Sequence, residues 1–109
     1  MELSPEVRQR LLIFQRIEIT ENHIYSRLAG TVKSPENRKV LEKIAADEMR
    51  HYEQWRRYTG ESVAPDHAAI SKYFWISRVL GFTFGVKLME SAEEKAQGGY
   101  EQLVGLIPE

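Results

Sequence analysis

The sequence predicts an all-α protein: an antiparallel helical hairpin followed by one long third helix. Three observations carry that expectation. Apolar residues recur at three- and four-residue intervals along three segments. Two Ser-Pro-Glu start signals are each closed downstream by a glycine. No run shows the strict alternation of a half-buried strand.

In the first element, Ser4 reads as an N-cap, Pro5 as the first helical residue and Glu6 as an acid placed against the positive end of the helix. Val7, Leu11, Phe14, Glu18, Glu21, Tyr25 and Leu28 then fall on one side, and Gly30 closes the segment. The second element repeats the signal at Ser34, Pro35 and Glu36. Its seam is Leu41, Ile44, Glu48, His51, Trp55 and Tyr58, and Gly60 ends it. So short a connection makes the two helices antiparallel neighbours. Residues 59–67, with Gly60 and Pro65, read as a loop. The remainder reads as helix up to Pro108 with a seam of Val79, Thr83, Val86, Glu90, Glu93, Gln97, Tyr100, Val104 and Ile107. A kink or break is expected between Gly81 and Gly85. The third helix also repeats the first: a shift of 75 residues lays Glu18 on Glu93, Tyr25 on Tyr100, Leu28 on Leu103 and Gly30 on Gly105. A duplicated hairpin would explain that match, and its fourth helix would have to follow residue 109.

The 109 residues suit a single domain, 1–109, with one modest core. Lys plus Arg is 15 against 16 Asp plus Glu, a balance that argues against a nucleic-acid partner held by a basic face. Cysteine is absent, which excludes disulfides, zinc–thiolate sites, iron–sulfur clusters and cysteine nucleophiles. Any metal must be held by Asp, Glu and His. The charged N-terminus does not read as a signal peptide, and the apolar stretch 74–89 contains Arg78 and Lys87 and is short for a bilayer span. A cytoplasmic location is expected, either of the whole protein or of the cytosolic domain of a membrane protein.

The informative residues are those that interrupt the apolar seams. Glutamate is rarely buried without a partner, yet Glu18, Glu21, Glu48, Glu90 and Glu93 occupy inward positions, with His51 beside Glu48. An unpaired buried carboxylate costs several kcal/mol or takes up a proton. No inward Lys or Arg cluster lies at those heights, so a bound cation is the economical explanation. Residues at i and i+3 share a helix face, so Glu48 and His51 can converge on one ion, and the imidazole favours iron, manganese or zinc over calcium. The ordinary alternative is an exposed acid and a histidine on a solvated face; seam placement and the matching Glu18 weigh against it. Glu21 reads equally as a ligand, as a carboxylate on the path to the site or as an ion-pair partner. Glu94, His23 and His67 read as surface residues, and Tyr25 and Tyr100 could be core aromatics.

The pairing of Glu18 with Tyr25, the stretch Tyr25-Ser26-Arg27-Leu28-Ala29 and the stretch Ile44-Ala45-Ala46-Asp47-Glu48-Met49-Arg50-His51 resemble the ferritin-like superfamily, and within it the rubrerythrin-type proteins. Residues 81–90 and 92–96 are similar to the rubrerythrin-like domain that precedes the membrane part of some vacuolar-iron-transporter-like proteins. The resemblance implies a ferritin-like bundle with a di-iron centre, in which Glu18, Glu48 and His51 are ligands and Glu93 or Glu90 is the third-helix ligand. It places Tyr25 beside the metal as a hydrogen-bonding, candidate catalytic residue. It implies oxidation of Fe(II) by dioxygen or peroxide, with manganese or zinc as substitutes for iron. A rubrerythrin-like peroxide reductase with an external electron donor is one alternative, and a non-enzymatic iron-binding module attached to a membrane transporter is another. The chain departs from the family by lacking a second Glu-x-x-His and the rubredoxin-like cysteines. Either a fourth helix follows residue 109, or two copies pair as a homo-oligomer so that Glu18, Glu48 and His51 of both complete the four-helix site. The second arrangement resembles the half-bundle ferritins found inside encapsulin shells. The aromatics Tyr73, Phe74, Trp75, Phe82 and Phe84, left with few internal partners, favour such association.

Overall fold

A computed structural model describes residues 3–81 and 85–91. The described residues contain helices and no strand: α1 (Pro5–Ala29), α2 (Pro35–Thr59), α3 (His67–Leu80) and a further helical segment, α4 (85–91). The all-α expectation holds.

Local chemistry accounts for the ends of the first two helices. Ser4 Oγ accepts from the Val7 amide and Ser34 Oγ from the Asn37 amide, both at 3.2 Å, and in each case proline occupies the first turn. Gly60 lies in the left-handed region at φ 70° and donates to the Arg56 carbonyl at 2.8 Å, an ending that a side chain would strain. Gly30 stays helical at φ −72°, and the bonds of Thr31 and Val32 to the Leu28 carbonyl finish α1 instead. α3 has a cap that sequence reading left inside the loop: Asp66 accepts from the Ala69 amide at 3.1 Å.

The long third helix is corrected at Gly81. There φ is +99°, α3 stops at Leu80, and helix resumes at residue 85. The break falls inside the interval expected for it, but it resets the register, so the seam projected back to Val79 fails. Val79 is 76% exposed, whereas Ile70, Phe74 and Ser77 are buried. Trp75 is also exposed, Tyr73 is half-buried and Phe74 is in the core. Phe82 and Phe84, like the seam from Ala92 to Ile107 and the internal repeat that rests on it, lie outside the described residues.

α1 and α2 form the antiparallel hairpin, and α3 packs on α1 and not on α2. Two apolar clusters hold them. The larger joins Ile24, Tyr25, Leu28, Ala29, Leu41, Ala45, Ile70, Phe74 and Met89; the smaller is Val7 and Leu11 with Leu3, Phe14 and Trp55 packed against it. Burying a leucine as fully as Leu11, Leu28 or Leu41 contributes roughly 2 kcal/mol. Between the clusters the α1–α2 seam turns polar, and Glu18, Glu48 and His51 lie in that interval. The loop after Gly60 is tied back onto the hairpin. Gln15 Nε2 donates to the Glu61 carbonyl at 2.8 Å, the Thr59 hydroxyl donates to Gln15 Oε1 at 2.5 Å, and Arg8 pairs with Glu61. The Val63 amide donates to the Tyr52 hydroxyl at 2.9 Å and the Asp66 amide to the Thr20 hydroxyl at 2.8 Å. Among the described residues no helix is long and apolar enough to cross a membrane.

Candidate metal centre

Antiparallel pairing of α1 and α2 sets residues opposite one another as rungs. Phe14 meets Trp55 with ring centroids 6.2 Å apart, Glu18 meets His51, and Asn22 meets Ala45. The centre rung is the site. His51 Nδ1 lies 3.4 Å from Glu18 Oε2 and 3.7 Å from Glu48 Oε1, and one ligand atom from each of the three residues falls within 4.8 Å of the others. Glu48 is 6% exposed, the Glu18 side chain 16%, and the His51 side chain 45%. The group therefore has a buried acidic floor and an imidazole at its mouth.

These separations suit a shared ion better than direct hydrogen bonds. An N–H···O bond prefers 2.7–3.2 Å. Donors held at roughly 2.0–2.2 Å from one metal stand roughly 3–4 Å apart, where the two His51 distances fall. Glu48 Oε2 is buried with no hydrogen-bond partner among the described residues, and Glu48 Oε1 faces His51. Anionic oxygen and neutral nitrogen donors together match iron, manganese or zinc. The donor types suit such an ion, but the group spreads to 4.8 Å, beyond the roughly 4.4 Å that two donors span across one metal, so the carboxylates would have to draw together on binding.

The other expected site residues are placed apart from this group. Glu21 is buried at 7% but lines a cleft with Ile17, Thr20, Ile24, Tyr73 and Met89. One turn of α1 carries the chain past the centre and turns Glu21 toward α3. Glu90 is exposed on α4, because the register reset at Gly81 and Gly85 turns Met89 inward instead. Neither belongs to the Glu18–Glu48–His51 group. Glu93 lies outside the described residues. Tyr25 is buried at 3% within the larger apolar cluster. His23 and His67 are exposed, as expected.

Sequence reading missed the polar residues that bind the hairpin together. Gln15 is fully buried and Thr59 nearly so, and both keep hydrogen-bond partners. Gln15 carried a signal, a polar residue four positions from Leu11 and four from Ile19 on the buried stripe of α1. Asn22 carried no such signal, since its role depends on which carbonyl α2 presents to it. No protein family, curated protein or solved structure matches the chain.

Proposed function

We propose that this chain binds iron through Glu18, Glu48 and His51 and oxidises Fe(II) with dioxygen or peroxide. The observation that carries the reading is the convergence of two carboxylates and an imidazole from neighbouring helices between two apolar clusters. Two Fe(II) ions held there by Glu18, Glu48 and His51 of two copies would supply two electrons, enough with two protons to reduce dioxygen to hydrogen peroxide or peroxide to water. The protein's part is to hold its donors in place and to favour the oxidised ion. Buried carboxylates stabilise Fe(III) relative to Fe(II) because the extra charge is felt in a poorly screened environment. The half-exposed imidazole of His51 lies at the solvent side, where iron would arrive as substrate.

One copy contributes three of the six ligand residues used by carboxylate di-iron bundles. We assign the rest to a second copy of the chain, whose Glu18, Glu48 and His51 would face the first set across a two-fold axis. The test is oxygen consumption on addition of Fe(II), followed together with the mass of the metal-loaded protein. The chain should consume oxygen and associate; Glu48→Ala and His51→Ala should each abolish consumption. Undiminished consumption in those variants refutes the assignment. Metal uptake without oxygen consumption leaves a binding role and removes the enzymatic one.

A further inference from the structure

The Asn22 side chain reaches across the hairpin one turn from the candidate centre. Its Nδ2 donates to the Ala45 carbonyl at 2.7 Å. Asn22 lies four residues after Glu18, and Ala45 lies three before Glu48, so each end of this bond shares a helix face with one of the two carboxylates. Ala45 is buried, and its small side chain allows α1 to come close enough for the amide to reach backbone. The acceptor already serves α2, but a carbonyl has two lone pairs and takes a second donor without losing its helical bond.

From this geometry we infer that Asn22 is a positioning residue of the metal centre, holding the axial register of α1 against α2 beside the ligands. The inference rests on the metal reading of Glu18, Glu48 and His51. A helix rises 1.5 Å per residue, whereas metal–ligand distances tolerate deviations of about 0.2 Å. A slip of one helix by a fraction of a residue is therefore enough to spoil convergence. The ring contact on the other side of the centre is less directional. Phe14 and Trp55 meet as tilted rings 6.2 Å apart, a contact that slides at little cost. The apolar contacts of the larger cluster are likewise non-directional. A short directional bond to a backbone atom fixes the register, and the Asn22 bond stands beside the ligands. The polar contacts at the far end are those of Thr59, whose hydroxyl donates to Gln15 and whose carbonyl accepts from Arg8 at 2.5 Å; Thr59 lies about two turns beyond His51 on α2, whereas Gln15 lies three residues before Glu18 and about two turns before Asn22 on α1.

The experiment compares Zn(II) binding by calorimetry in the full chain, Asn22→Leu and Thr59→Val, with Co(II) absorption spectra and metal-free thermal unfolding recorded for each. Asn22→Leu should weaken Zn(II) binding roughly three- to tenfold, the range expected when the metal must supply the ordering that one hydrogen bond supplied before. It should also alter the Co(II) ligand-field bands. Thr59→Val should lower the unfolding temperature and leave Zn(II) affinity and the Co(II) spectrum as they are in the parent. Should Asn22→Leu not fold, Asn22→Ser, polar and too short to span the gap, carries the same expectation. Unchanged affinity and spectrum in the Asn22 variant overturn the inference, as does an equal loss in Thr59→Val. Failure of the parent chain itself to bind Zn(II), Mn(II) or Fe(II) overturns the metal reading first and this inference with it.

Discussion

If the acidic floor of the centre is built for a cation, removing one of its charges should make the metal-free protein more stable. Glu48→Gln is the cleanest perturbation, because it keeps the shape of a residue that is 6% exposed and removes only its charge. Glu18 and Glu48 present ligand atoms within 4.8 Å of each other. At an effective dielectric constant of about 20, two unit charges at that distance repel by about 3 kcal/mol. His51 stands 3.4 and 3.7 Å from the two carboxylates, but its side chain is 45% exposed and screening leaves only part of its attraction. The side-chain amide that Glu48→Gln introduces would also be able to donate to the Glu18 carboxylate. A net gain of about 1–2 kcal/mol is expected, which for a domain of this size raises the metal-free unfolding temperature by about 5–10 °C. Metal should reverse the order. A ligand at a hundred times its dissociation constant stabilises the binding-competent chain by about 2.7 kcal/mol, and Glu48→Gln should forfeit most of that. Thermal unfolding followed by far-UV circular dichroism, with chelator and then with Zn(II) or Mn(II), reads both halves. A metal-free Glu48→Gln that melts below the parent, or two proteins that respond alike to metal, refutes the idea that these carboxylates are held together for an ion.

Two further predictions concern the backbone. A β-carbon at Gly85 would stand 1.8 Å from Ser77 Oγ and 3.0 Å from Ser77 Cα, so Gly85→Ala should destabilise by about 1–3 kcal/mol in chemical denaturation, and adding Ser77→Gly should recover part of the loss. The glycines that end α1 and α2 should behave oppositely. Gly60→Ala, at φ 70° with open space around it, should cost about 1–2 kcal/mol, whereas Gly30→Ala, at φ −72°, should be neutral or stabilising by up to about 1 kcal/mol. Equal effects at the two positions in denaturant titrations would contradict the assigned cap geometries.

What could be read from the sequence divides along a physical line. Signals that act within one turn were legible: Ser4 and Ser34 cap the helices that the Ser-Pro-Glu triplets announced. Signals that depend on a dihedral or on a neighbouring element were not. Gly81 is a break rather than a kink because it adopts φ +99°, which periodicity cannot reveal, and Glu90 then points to solvent. The seam of α2 shows the same limit more finely. A 3-4-3-4-3 pattern advances slightly too few residues per turn, and an ideal helix drifts roughly 20° per heptad against a 3.5-residue repeat. The buried stripe of α2 accordingly runs through Leu41, Ala45, Glu48, Tyr52 and Thr59, leaving Tyr58 46% exposed. That drift also explains the asymmetry of the centre. Glu48 stays on the stripe and is buried, whereas His51 lies at its edge and is half-exposed. A donor at the edge of the stripe keeps solvent access, and a donor on the stripe does not. On the proposed metal reading, the combination would give an ion a route in and a poorly screened seat at the end of it. The seam-breaking acids Glu18 and Glu48 could be identified as unusual from one-dimensional spacing alone. Their convergence depends on how far α1 is slid along α2, which is where Asn22 acts.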